Sequence, residues 1–147
     1  MTLRSKRLNN KITKNKILVI HSAMDKVPAV RKEITLAMAL YGFSKNAQNE
    51  MLIALDETIS NAIKHGNKYE KCKKVFINYK FSKNFIEIKI KDQGQGFDWR
   101  MAEKNKSKSD FTGYEISGRG IFMLKTVMNF VKFNADGTEI TFLKKRS

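Results

Sequence analysis

The chain is poor in the residues that punctuate or staple a fold: 147 residues contain one proline, one cysteine and two histidines. A single cysteine, Cys72, leaves no internal disulfide and no zinc cluster to build. Without a Pro-rich linker or an internal repeat, nothing divides the chain, and one domain is the natural count at this length. No apolar run approaches the ~20 residues of a membrane helix. The basic N-terminus carries no apolar stretch of signal-peptide type. A soluble, cytoplasmic protein without membrane contact is therefore expected. Acidic residues are also scarce. Fourteen Asp and Glu face 29 Lys and Arg, a net charge of +15. Such charge suits nucleic acid, an acidic protein or a phosphorylated ligand. Few aromatics interleave with the basic residues and no helix-turn-helix or RRM signature is present, so direct nucleic-acid binding is not expected.

Against these shortages stand 41% hydrophobic residues, including ten Phe and seven Met, enough for a real core. Residues 1–14 read as a basic arm and 15–147 as a single domain. An apolar run over 16–22 has strand length. Asp25 is placed to cap a helix with Pro28 in its first turn. Val27, Val30, Ile34, Ala37, Met38 and Tyr41 follow helical spacing, and Gly42 ends it. Ser44 caps a second helix that runs to about His65. Alternation over 75–81 and 86–91 predicts a hairpin turning at 82–84. Residues 98–117 lose periodicity, as a functional lid or a disordered segment does, and Trp99 suits an anchor of that loop better than a base-stacking platform. A third helix opens at Gly118, and a second hairpin joins 130–133 to 139–143. The basic end, 144–146, reads as frayed. Strands arriving in hairpins argue for an α+β fold: two layers, with helices on one face of a mostly antiparallel sheet.

Three segments can carry chemistry. Glu57 and Asn61 stand one turn apart on the second helix. An amide oxygen suits Mg²⁺, and a carboxylate beside it can take a proton. His65 follows at the same spacing. Asp92-x-Gly94-x-Gly96 follows a strand directly. Its glycines admit a flat ligand close to the backbone, and Asp92 can accept from an exocyclic amine. The dinucleotide fingerprint is not met, because a third glycine and an immediate helix are missing. Gly118-Arg119-Gly120 opens a helix, where free N–H groups and Arg119 suit an anion. Taken singly, the first two segments are better described as a polar helix face and an ordinary Asp/Gly turn, and the third matches a plain glycine loop just as well. In order, they supply what phosphoryl transfer needs.

The succession Glu57-x-x-x-Asn61-Ala62-x-x-His65-Gly66, Asp92-x-Gly94-x-Gly96-Phe97 and Gly118-Arg119-Gly120-Ile121-Phe122-Met123-Leu124 resembles the N box and two glycine boxes of the GHKL (Bergerat-fold) ATPases. The short length, the helix-helix start and the closing residues 136–145 resemble the branch of anti-sigma factor serine/threonine kinases with a histidine kinase-like ATPase domain. The resemblance spans roughly residues 15–145. It implies ATP and Mg²⁺ as cofactors. It casts Glu57 as the general base, Asn61 as the Mg²⁺ ligand, and Asp92 as the reader of the adenine amine with Gly94 and Gly96 beside the ring. Gly118, Arg119 and Gly120 become the phosphate-facing turn and residues 98–117 the ATP lid. Thr138 becomes the late Gly-Thr near adenine, and His65 the end of the N box. Kinases of the branch often carry Arg just before the last box. Ile116 stands there, and Arg119 is the candidate replacement.

The function implied is that of an ATP-binding anti-sigma factor that phosphorylates an anti-anti-sigma (STAS) protein in bacterial partner switching. A sigma factor is the other partner, and a homodimer is a family expectation. The alternative is an ATP-gated protein-binding module with little or no transfer.

Overall fold

The computed structural model describes residues 12–100 and 118–146, excepting the side chains of 12, 13, 119 and 121. In chain order these form β1 (Ile12–His21), a 3-10 turn (Met24–Lys26), α1 (Val27–Leu40) and α2 (Lys45–Asn61). A π turn (Ala62–Gly66), β2 (Lys74–Ser82) and β3 (Phe85–Lys91) follow. Then come α3 (Gly118–Val127), β4 (Phe130–Phe133) and β5 (Glu139–Lys145). The strands make one antiparallel sheet in the order β1-β2-β3-β5-β4.

Alternation decides which face is covered. Val75, Ile77, Tyr79 and Phe81 of β2, Ile86, Ile88 and Ile90 of β3, and Ile140 and Phe142 of β5 are buried together with the apolar stripes of all three helices. From α1 come Val30, Ile34 and Met38; from α2, Met51, Leu55 and Ile59; from α3, Leu124. Their β2 and β3 neighbours Phe76, Asn78, Lys80, Glu87 and Lys89 are only half-buried on the opposite face. The molecule is thus the α+β two-layer arrangement that the paired strands predict, with helices on one face.

The local signals mostly act where they were read. Ser44 Oγ accepts from Ala47 N at 3.1 Å and caps α2. Gly42 ends α1 with φ +82°. Four details differ. Asp25 does not cap α1: the cap position is Lys26, without a side-chain bond. Asp25 lies in the 3-10 turn, where its carboxylate pairs with His21 Nε2 at 3.1 Å. β1 starts at Ile12, earlier than the apolar run. Its polar start is held from outside the strand: Lys16 pairs with Glu33 at 3.0 Å and Lys14 Nζ stands 5.7 Å over the Tyr79 ring. The second helix does not reach His65 as regular α-helix, because the chain widens into the π turn after Asn61. The basic end is not frayed. β5 continues through Lys145, Lys144 is mostly buried, and Arg146 N donates to Asn84 O at 2.8 Å.

Candidate functional site

One cavity, with about 400 Å³ of empty volume, opens between α2, α3 and the β3 and β5 ends of the sheet. Asn61, Asp92, Gly120 and Thr138 line it together with Thr58, and Ile90, Leu124 and Ile140 make its apolar walls. Four of the residues singled out from sequence therefore converge, although they are spread over 78 positions of chain from 61 to 138.

Asp92 follows β3 at the cavity's inner end, with 9% of its surface exposed. Burial raises its pKa, and the nearby Asp136 carboxylate adds to the rise, while the Gly94 N–H and Lys73 oppose it. Its Oδ1 accepts from Gly94 N at 2.8 Å. Its backbone N–H donates to Thr138 O at 3.0 Å, so the two adenine-side candidates are tied directly. Thr138 is itself oriented: its hydroxyl donates to Asp136 Oδ1 at 2.7 Å and accepts from Asn134 Nδ2 at 3.0 Å.

The glycines serve close approach. A Cβ on Gly94 would overlap the Gly66 carbonyl. Gly96 (φ +80°) and Gly137 (φ +77°) interlock the segment after β3 with the β4–β5 turn: a Cβ on either would strike the other segment's backbone. Both also occupy the left-handed region that glycine alone enters cheaply. Gly94 and Gly96 thus shape the wall, whereas the cavity surface itself is Asp92, Phe97, Gly137 and Thr138.

At the other end, Asn61 Nδ2 donates to Glu57 Oε1 at 3.1 Å, the i,i+4 contact expected on a helix. The bond fixes the amide and leaves its oxygen as the acceptor on offer. The first turn of α3 comes so close that a Cβ on Gly120 would overlap Glu57 Oε1. Base candidate, amide and helix N-terminus are therefore neighbours. Gly118 and Arg119 begin α3; the Arg119 side chain, Ile116 and residues 101–117 of the expected lid lie outside the described residues. Of that segment, Trp99 is anchored: its indole N–H donates to Asn134 O at 3.0 Å and its ring stacks on Phe133. His65 lies on the π turn and is not part of the cavity lining.

Asn67 is the residue that sequence reading missed. Its place just after the helix suggests no more than a stop, yet it is fully buried. Its amide donates to Ser22 Oγ at 2.8 Å and Lys74 O at 2.9 Å, and its oxygen accepts from Gln93 N at 2.8 Å. It thereby holds the residue next to Asp92. Gly66, the residue before it, leaves the space that the Asp92 carboxylate fills. An Asn directly after a helix-ending Gly carries no such signal, because its partners are 45 residues upstream and 26 downstream.

The donor set suits a nucleotide. An apolar slot with one carboxylate at its inner end fits an aromatic base bearing an amine. The described residues hold no group of three His, Cys, Asp or Glu able to cage a metal. A single amide oxygen beside a helix N-terminus is compatible with Mg²⁺ held mainly by substrate phosphates.

Comparison with known proteins agrees with this geometry. Residues 20–144 match the histidine kinase-like ATPase domain family. The serine-protein kinase RsbW of Listeria innocua is 29% identical over 108 residues, 70% of this chain and 69% of the relative. RsbW of Bacillus licheniformis is 25% identical over 123 residues, 80% of this chain and 77% of the relative. The histidine-protein kinase/phosphatase DegS of Bacillus subtilis is 43% identical over 53 residues, 36% of this chain but 13% of its own length. With the family profile covering most of its length, the chain belongs to the histidine kinase-like ATPase domain family.

Proposed function

We propose that this chain is an ATP-dependent protein serine/threonine kinase that acts as an anti-sigma factor, with an anti-anti-sigma (STAS) protein as phosphate acceptor. The observation that carries the proposal is the shared cavity of Asn61, Asp92, Gly120 and Thr138 with Glu57 hydrogen-bonded at its side. The relatives named serine-protein kinases that match most of the chain support the reaction class.

In this reading Asp92 accepts the adenine amine and the apolar walls take the ring. Asn61 holds Mg²⁺, which when bound neutralises phosphate charge. The N–H groups opening α3, with Arg119, face the phosphates. Glu57 orients the acceptor hydroxyl and takes its proton. The hydroxyl oxygen bonds to the γ-phosphorus as the bond to the β,γ-bridging oxygen breaks, and ADP leaves with that electron pair. Positioning and charge stabilisation account for most of the rate in such transfers.

The test is transfer of labelled γ-phosphate to a purified STAS partner. Wild-type protein should give phosphoserine or phosphothreonine, and Glu57→Ala should abolish it while still binding ATP. ATP-dependent partner binding without a phosphoproduct would instead establish a non-transferring switch, the reading that Ile116 in place of Arg favours.

A further inference from the structure

We propose that Lys144, which does not itself line the cavity, is a positioning residue for nucleotide binding: it locks α3 onto α2. The inference rests on the nucleotide reading above.

Lys144 pairs with Ile86 in the β5–β3 ladder, and its side chain is only 15% exposed. Its ammonium donates to two groups at once, Val127 O at 2.7 Å and Glu50 Oε2 at 2.7 Å. Val127 is the last residue of α3, where the carbonyls have no partner within the helix and a cation is favoured by the dipole. Glu50 lies on α2, and its other oxygen accepts from Asn46 Nδ2 at 2.8 Å, which sets the carboxylate in place. Partial burial shields this pair from the screening that makes surface ion pairs weak.

The two helices run antiparallel and meet at both ends. Gly120 abuts Glu57 at the cavity end, and Val127 reaches Glu50 through Lys144 at the other. From Glu50 to Glu57 and from Gly120 to Val127 are equal spans of about two turns. A clamp at the far end therefore sets the angle at which the first turn of α3 faces the cavity. The same strand end is tied again by Asn129, whose side chain accepts from Lys145 N at 2.8 Å. Without Lys144, the Val127 carbonyl and a half-buried Glu50 lose their shared donor, and the helix that presents N–H groups to phosphate is held at one end alone.

The test measures the Mg·ATP Kd by calorimetry for wild type, Lys144→Met, Lys144→Arg, Glu50→Gln and Ile34→Val. Lys144→Met keeps the apolar stem and should weaken binding about tenfold, equivalent to ~1.4 kcal/mol. Lys144→Arg, which keeps two donors, should stay within about threefold. Ile34→Val lowers stability through the core under α1 and should leave the Kd unchanged, which separates positioning from stability. If Lys144→Met does not fold, Glu50→Gln decides, with an expected loss of about threefold. Wild-type affinity in Lys144→Met or Glu50→Gln, or equal weakening by Ile34→Val, overturns the inference while the nucleotide site stands. A wild-type chain that binds no ATP overturns the site itself.

Discussion

Burial raises the pKa of Asp92, so the charged carboxylate costs the ligand-free fold stability at neutral pH. The folded chain binds this proton more readily than the unfolded chain, whose Asp titrates near 3.8. The stabilisation is complete below that value and is lost as pH rises through the raised, folded one. Asp92→Asn should therefore raise the thermal midpoint of the ligand-free protein at pH 7, and the gap should close as the pH falls below 4, as read by calorimetric scans in both buffers. The same substitution should weaken ATP binding about 10–100-fold, because it replaces a charged acceptor. Gly120→Ala acts on the Glu57 side of the cavity. Its new methyl displaces Glu57 Oε1, and phosphoryl transfer should drop about 100-fold with the far-ultraviolet dichroism unchanged. Asp92, Glu57, Asn61 and Gly120 could be singled out as candidates because each sits in a short local pattern, and the fold brings them close together. Asn67 was not. Its importance lies in three partners from β2, the residue after β1, and the residue after Asp92.

Among the described elements, the two hairpins, the three helices, the Ser44 cap and the Gly42 stop could be read because period and punctuation are local properties. What escaped depends on packing. The polar start of β1 is supported by Glu33 of α1 and Tyr79 of β2, and the basic end of β5 by Glu50 of α2. The widening after Asn61 has no counterpart in hydrophobic spacing, and His65, which lies in it, is not part of the cavity lining. Asn67→Ala leaves the Gln93 N–H and the Lys74 carbonyl without their buried partner, and urea unfolding should show a loss of about 2–3 kcal/mol. Gly137→Ala should lower stability as well, by about 1–3 kcal/mol, through its positive φ and its approach to Phe97.

For the whole molecule, the net charge of +15 is not explained by the cavity. Residues 1–16 carry six Lys or Arg and no acid, and half-buried lysines stud the open face of the sheet. Such a field steers acidic partners, so association with a STAS protein should slow steeply as salt rises from 50 to 500 mM, read by stopped-flow. Length indicated a single domain and box order a nucleotide site, and one cavity gathers four of the residues that reading singled out. The most direct test is calorimetric titration of Mg·ATP into wild type and Asp92→Asn. Saturable binding by wild type, with affinity at least tenfold weaker in the variant, is the result expected. Equal affinities, or no binding by wild type, would contradict the assignment of this cavity to ATP.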